Sequence, residues 1–286
     1  MSTPGFDAAR FKALERAGFN RIAARYADGA PLRQRLADAL LDAASLEPGM
    51  RVLDLASGPA LLAHDAARRV APGGWVVASD IAEGMLLEAR RRIDESTDSR
   101  TVVGASMSYL AADAEHLCIG EASFDRVLAG LALFMFPHPE RALAEIHRVL
   151  KPGGELVLSV WAEREAVPLI GRAQACIARL LPPPKVERPS VFRFGMPDTL
   201  TQTLLEAGFN AVRIVPCDFE CKFENAEAYW QAFLDLAGGA AEALSRLPEP
   251  TRQALREAVA EDLAPHECET SGFCVPARAL VANARV

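Results

Sequence analysis

No stretch of this 286-residue sequence is apolar for long enough to cross a bilayer. The longest such run, residues 127–136 (VLAGLALFMF), falls well short of the roughly 20 residues that a spanning helix needs. The N-terminal stretch MSTPGFDAARFKALERAGF is polar and amphipathic, without the apolar core and small-residue cleavage site of a secretory leader. The chain is therefore expected to stay in the cytoplasm. Positive charge is also scarce: 31 Lys and Arg stand against 38 Asp and Glu, a formal net charge of −7. A binder of nucleic-acid backbones needs a basic surface to displace condensed counterions, so no nucleic-acid partner is expected. Paired cysteines are missing as well. The six, at 118, 176, 217, 221, 268 and 274, form no C-x-x-C motif and read as reduced packing thiols, with no metal site. What is present is ordinary globular chemistry: 50% hydrophobic and 24% charged residues, enough for one large α/β domain with an appended subdomain.

Residues 1–45 carry helical periodicity, with Phe11, Leu14, Phe19, Ile22 and Tyr26, then Leu32, Leu36, Leu40 and Leu41 after Pro31. They read as a cap of two or three helices. From Arg51 short apolar runs alternate with longer amphipathic ones, the pattern of βα units around a parallel sheet. Strands are predicted at 51–56, 74–80, 106–112, 123–129 and 154–161, with helices at 61–69, 82–92 and 139–150 between them. The last of these helices is expected to stop at Lys151-Pro152-Gly153-Gly154. Residues 46–165 thus form a core. Residues 166–286 read as substrate-side helices, at 167–181, 197–207 and 225–264, together with two last strands at 211–216 and 274–286.

The most informative segment is Val52-Leu53-Asp54-Leu55-Ala56-Ser57-Gly58-Pro59-Ala60, an apolar strand opening into a turn of small residues ahead of a helix. Such a turn lets a ligand approach the backbone and puts helix N-terminal amides beneath it. A second strand ends at Asp80, where a carboxylate can accept both hydrogen bonds of a ribose diol. A third ends in Ala112-Asp113-Ala114-Glu115, and a fourth runs through Phe124-Asp125-Arg126-Val127-Leu128-Ala129-Gly130. In open α/β sheets these ends meet at the ligand crevice. Asp54, inside the first strand's end, would repel a dinucleotide pyrophosphate and attract an ammonium group, which favours a nucleoside bearing an amino acid.

The run from residue 45 to 165 resembles the class I S-adenosylmethionine-dependent methyltransferases, most closely the ubiquinone/menaquinone-biosynthesis branch acting on small molecules. VLDLASGPA is similar to the family's first motif, ASDIAEGMLLEAR to its second, AADAEHL to its third, and FDRVLAGLALFMFPHPERALAEIHRVLKPGGELVLS to its fourth and fifth. The resemblance implies a doubly wound, mostly parallel seven-stranded α/β sheet and S-adenosyl-L-methionine as cofactor. It puts Asp54, Ala56, Gly58 and Pro59 at the methionine end, Asp80 at the ribose hydroxyls and Ile81 on the adenine face. By the same resemblance Asp113 and Ala114 meet the adenine amino group, Gly130 and Leu131 lie near the sulfonium, and Tyr26 closes over the cofactor as an aromatic lid. Ala56 and Ala60 stand where the family commonly has glycine in G-x-G-x-G.

Methyl transfer is an in-line displacement, so positioning dominates and a base is needed only where the nucleophile must lose a proton. His138, after the fourth strand, is the candidate base. Phe192-Arg193-Phe194 and Tyr229-Trp230 with Phe233 are candidates for an aromatic pocket, with Arg193 and Trp230 meeting a hydrophobic or aromatic substrate that carries a hydroxyl, enol or acidic group. The expected activity is methylation of O or C of such a metabolite; a homodimer is left open. Two alternatives stand beside it: a cofactor-binding protein without turnover on the same fold, and an NAD-dependent oxidoreductase. The second is disfavoured by the absence of G-x-G-x-x-G after the first strand and of a Tyr-x-x-x-Lys pair.

Overall fold

The computed structural model describes residues 6–95, 105–184, 186–268 and 271–286. Helices α1 (Ala8–Asp28) and α2 (Gln34–Ala43), joined by a short 3-10 turn at Ala30–Arg33, precede the sheet. Asp7 starts α1 by accepting the Arg10 amide at 3.0 Å, which satisfies one of the free donors of the first turn. The alternation that follows is β1 (Arg51–Leu55), α3 (Leu61–Val70), β2 (Trp75–Asp80), α4 (Glu83–Glu95), β3 (Ser106–Ala111), β4 (Phe124–Gly130), α5 (Pro139–Val149) and β5 (Leu150–Trp161). Helices α6 (Pro168–Leu180) and α7 (Pro197–Glu206) lead to β6 (Asn210–Phe223). Then come α8 (Ala226–Leu236), α9 (Gly239–Ser245), α10 (Glu249–Leu263) and β7 (Phe273–Arg285).

The seven strands lie in the order β3-β2-β1-β4-β5-β7-β6, with β7 antiparallel to both neighbours and the other pairs parallel. Successive strand residues point to opposite faces, and Val52, Leu53, Asp54 and Leu55 are all buried, so helices cover both faces of the central strand. The chain leaves β1 toward β2 and β3, then returns to β4 and β5 on the other side. The ends of β1 and β4 are therefore the topological switch point. No helix of the described residues is long and apolar enough to cross a membrane.

The structure departs from the sequence reading in several places. Helix α5 ends at Val149, and β5 begins at Leu150, opposite Phe124, instead of at residue 154. The Lys-Pro-Gly-Gly segment is an irregularity at the start of that strand, with Gly153 at φ 76°, and the register shifts between Phe124 and Arg126. Strand β6 runs seven residues past 216, because it pairs with β7 as far as Phe223. The helical region 225–264 is three helices, broken at Gly238 (φ 48°) and Pro248. Finally, Cys268 and Cys274 form a disulfide, which corrects the reading of all six cysteines as reduced. The Gly272 turn (φ 74°), with the Cys268 amide donating to the Gly272 carbonyl, brings them together at a spacing that no short cysteine motif marks. Cys118 is free and exposed; Cys176, Cys217 and Cys221 are free and buried.

Candidate functional site

The turn after β1 is wound by three left-handed residues at alternate positions, Ala56 (φ 54°), Gly58 (φ 55°) and Ala60 (φ 55°). For alanine this conformation brings Cβ against the carbonyl oxygen, at a cost of roughly 1–2 kcal/mol per residue. Two strained residues in one turn at a strand end are the kind of outlier that marks functional backbone. The Ser57 amide donates to the Ser79 carbonyl at 2.9 Å, tying the turn to the end of β2. Asp80 completes the tie. Its two oxygens accept the Gly58 and Ala82 amides, each at 2.8 Å, and it is only 9% exposed. Burial raises its pKa, and the amides of Ala82, Gly58 and Ile81 pull it back.

Asp54, 1% exposed, stands two residues ahead of the same turn, at the end of β1. Burial, with the nearby Asp80 charge, pushes its pKa up to about 8, and the Ala63 amide opposes this. Its Oδ2 has no hydrogen-bond partner among the described residues. A buried acceptor left unpaired is costly unless a ligand donor meets it, and an ammonium group is the donor that would also restore the charged carboxylate.

Tyr26 of α1 covers the turn. A Cβ placed on Gly58 would lie 3.4 Å from Tyr26 Cε1, so the ring rests directly on this glycine. The ring is held edge-on by Phe19 and face-on by Arg33, whose guanidinium carbon is 4.3 Å from the ring centre. Ile81, half-buried, follows Asp80 beyond the end of β2.

Beyond β3, the Asp113 carboxylate accepts the Glu115 amide at 3.0 Å and pairs with Lys12 of α1 at 2.7 Å. Lys12 also meets Glu115 at 2.6 Å, and Glu115 in turn accepts the His138 amide at 2.8 Å. Ala114 is buried between them in the chain. Asp113 is thus bound to the cap helix. Past β4, Gly130 leaves ordinary room for a Cβ, 3.6 Å from Leu62. Leu131 is left-handed (φ 52°), its amide shared by the carbonyl and hydroxyl of Ser159.

His138 opens α5 without capping it; its ring lies 3.5 Å from the Glu140 carboxylate and is partly exposed. Arg193 reaches the same connection. It donates to the carbonyls of Leu133 and Phe136, and its Nε is buried without a partner among the described residues. Burial lowers its pKa, while Glu140 and Glu115 act the other way. Trp230, 5% exposed, stacks on Phe233 within the core, and neighbouring Tyr229 donates to the Leu169 carbonyl at 2.9 Å. Lys12 and Arg33 were not singled out by the sequence reading, since their partners lie far off in sequence or in an aromatic face and no spacing announces them. A groove of about 540 Å³ lies elsewhere, at the opposite edge of the sheet between α2 and the far ends of β5, β6 and β7.

With the crevice so arranged, comparison with known proteins is informative. Residues 53–158 match the methyltransferase domain family. The chain is 34% identical over 185 residues to the ubiquinone/menaquinone biosynthesis C-methyltransferase UbiE of Laribacter hongkongensis, covering 60% of this chain and 72% of that protein. It belongs to the class I S-adenosylmethionine-dependent methyltransferases, on the ubiquinone/menaquinone-biosynthesis-like branch. The UbiE of Bordetella parapertussis is 43% identical over 126 residues, 44% of this chain and 46% of that protein, so the chain spans about half the length of the curated relatives it matches. Among solved structures, a Bacillus halodurans protein described as a methyltransferase shares the fold at TM-score 0.57 and 21% identity, over 87% of this chain and 97% of that one.

The crevice suits the family's cofactor. Asp54 offers an unmatched acceptor to an ammonium, Asp80 keeps lone pairs for a ribose diol beside its two amides, and the edge of the Tyr26 ring lies against the Gly58 turn.

Proposed function

We propose that this protein is a methyltransferase that carries the methyl group of S-adenosylmethionine to O or C of a small hydrophobic or aromatic metabolite. The observation that carries the reading is the buried Asp80 fastening a left-handed turn under Tyr26, with the unpaired oxygen of buried Asp54 just ahead of that turn in the chain. The name of the relatives, C-methyltransferases of ubiquinone and menaquinone biosynthesis, favours carbon of a quinol-like ring. When bound, the cofactor supplies an electrophilic methyl on a sulfonium. The residues of this chain then hold and orient. Ala56, Gly58 and Pro59 receive the methionine end, and Asp80 the ribose hydroxyls. Ile81, Asp113 and Ala114 meet the adenine, while Gly130 and Leu131 border the sulfonium. Asp113 must exchange its Lys12 contact, in whole or in part, for the adenine amino group, while Glu115 keeps Lys12.

On the substrate side, Arg193 reaches the carbonyls of Leu133 and Phe136, on the connection between β4 and α5 that ends at His138, as a partly desolvated cation with an unmatched N–H. That suits an aromatic hydroxyl in its ionised form, and His138 is the group placed to take the proton. Trp230, packed against Phe233, contributes through the core behind these helices and not through an open wall.

The test is incubation with S-adenosylmethionine and a panel of phenols and quinols, read by mass spectrometry. A product heavier by one methyl, lost on Arg193→Ala with affinity for S-adenosylhomocysteine retained, is expected. Tight binding of S-adenosylhomocysteine with no methylated product from any member would favour the cofactor-binding reading without turnover.

A further inference from the structure

Two arginines, Arg188 and Arg193, fix the segment between α6 and α7. Arg188 pairs with Glu15 of α1, a carboxylate only 5% exposed, and its guanidinium carbon lies 6.0 Å from the centre of the Phe11 ring. The other Glu15 oxygen accepts the Gly239 amide, at the start of α9, at 3.4 Å. A Cβ on Gly239 would fall 2.8 Å from Glu15 Oε1 and 2.9 Å from Arg188 Nη2, so glycine is what leaves the pair its room. Arg193 holds the far side of the segment, donating to the Leu133 and Phe136 carbonyls of the connection that ends at His138. A tight turn carries it there: the Arg193 amide donates to the Ser190 carbonyl at 3.2 Å and the Gly195 amide to the Phe192 carbonyl at 2.9 Å.

Glu15 follows Lys12 by one turn of α1. Lys12 meets Glu115, which accepts the His138 amide at 2.8 Å. One turn of the cap helix thus holds, through two ion pairs, both segments that carry the candidate substrate groups. Buried ion pairs gain little stability over apolar residues of the same volume, and their best-attested use is to fix the register in which elements meet. Resting on the methyltransferase reading above, we propose that Glu15 and Arg188 are positioning residues for the substrate. They set the segment 186–196 from the cap helix, and through it the unmatched Nε of Arg193 relative to His138. Cofactor binding is spared when the pair is lost, because α1 is docked on α4 separately: Asn20 accepts the Gly84 amide at 2.7 Å, and Arg92 meets Asp28 at 2.7 Å.

The test uses the full chain, S-adenosylmethionine and the phenol or quinol that the wild type methylates fastest. Arg188→Met is expected to raise KM for that substrate about tenfold, the loss of a charge-assisted contact, with kcat and S-adenosylhomocysteine affinity within about twofold of wild type. Arg188→Lys should recover most of the rise. Exchange of the Arg193 and Gly195 amides should be faster in Arg188→Met, while the sheet amides exchange at wild-type rates. A lone Glu15 is costly to bury, so the paired variant Glu15→Met with Arg188→Met guards against misfolding; it removes both charges and should raise KM no further than Arg188→Met. A wild-type KM in both variants, or wild-type exchange at Arg193 and Gly195, overturns the proposal. A loss of S-adenosylhomocysteine affinity as large as the rise in KM overturns it too, since that marks a general loosening of the cap. If the wild type methylates no member of the panel, the functional reading fails by itself, and exchange at Arg193 and Gly195 still decides whether the pair sets the segment.

Discussion

The carboxylate of Asp80 accepts the backbone amide of Gly58 at 2.8 Å, fastening the end of β2 to the turn that follows β1. One side chain therefore shapes the turn and faces the crevice. Asp80→Ala should weaken S-adenosylhomocysteine by about 1.5–3 kcal/mol, the usual cost of hydrogen bonds to a charged group. Asp80→Asn should fall nearly as far, because its amide nitrogen would confront one of the two backbone N–H donors. Unchanged affinity of both variants in titration calorimetry would remove Asp80 from the ribose role.

Asp54 predicts a pH dependence. Its pKa is raised from the ordinary 3.8 to about 8, so the folded chain holds a proton that the unfolded chain releases. The associated stability is greatest below the ordinary value and is lost as pH rises toward 8. The melting temperature should decline across that window, and Asp54→Asn should flatten the decline. An ammonium-bearing ligand placed at Asp54 restores the carboxylate, so binding of S-adenosylhomocysteine near pH 7 should release a proton. Calorimetry in buffers of different ionisation enthalpy measures this release. Its absence in the wild type, or its persistence in Asp54→Asn, would refute the assignment.

How far the sequence announced this site depends on what kind of signal each part leaves. β1, β2 and the middle of β4 are buried on both faces, so each reads as a short, mainly apolar run ahead of a turn of small residues or an acid, and their convergence follows from the alternation. In β6 a signal was present and misread: Cys217, Phe219, Cys221 and Phe223 are buried while Asp218, Glu220 and Lys222 are exposed, a plain period of two. The expected strand stops at Pro216, whereas β6 runs through it, because an edge strand tolerates proline where one side of its backbone needs no partner. The Lys12 link to Asp113 spans 101 residues of sequence, and the left-handed φ of Ala56 and Ala60 belongs to residues that carry no such preference. Contacts and strain of this kind exist only once the chain has folded.

That strain is itself measurable. Glycine at 56 or 60 removes the left-handed penalty of an alanine but frees the unfolded chain, for a net gain of up to about 1 kcal/mol. Ala56→Gly should raise the melting temperature by about 2 °C with cofactor affinity retained. Ala60→Gly should gain less, because the Ala60 methyl is fully buried and its removal leaves a small void. A fall in stability for Ala56→Gly would mean that the turn is not strained at that residue.

The cap helix offers the last prediction. Helix α1 carries both Tyr26 and Lys12, and it crosses α9 so closely that a Cβ on Gly18 would fall 2.3 Å from the Gly239 nitrogen. Backbone cannot yield as a flexible side chain can, so Gly18→Ala must push the two helices apart. The ordinary cost of such overpacking is about 1–3 kcal/mol. Because α1 also rests on α4, the displacement should lift Tyr26 from Gly58 and strain the Lys12 bridge to Asp113 and Glu115. Gly18→Ala should therefore weaken S-adenosylhomocysteine and speed amide exchange along α1. Lys12→Met separates the two effects: it should loosen α1 through the buried Glu115 left half-paired, and leave the α9 crossing intact. Wild-type exchange rates along α1 in both variants would mean that the cap is held by neither contact, and that Tyr26 covers the turn by its own packing.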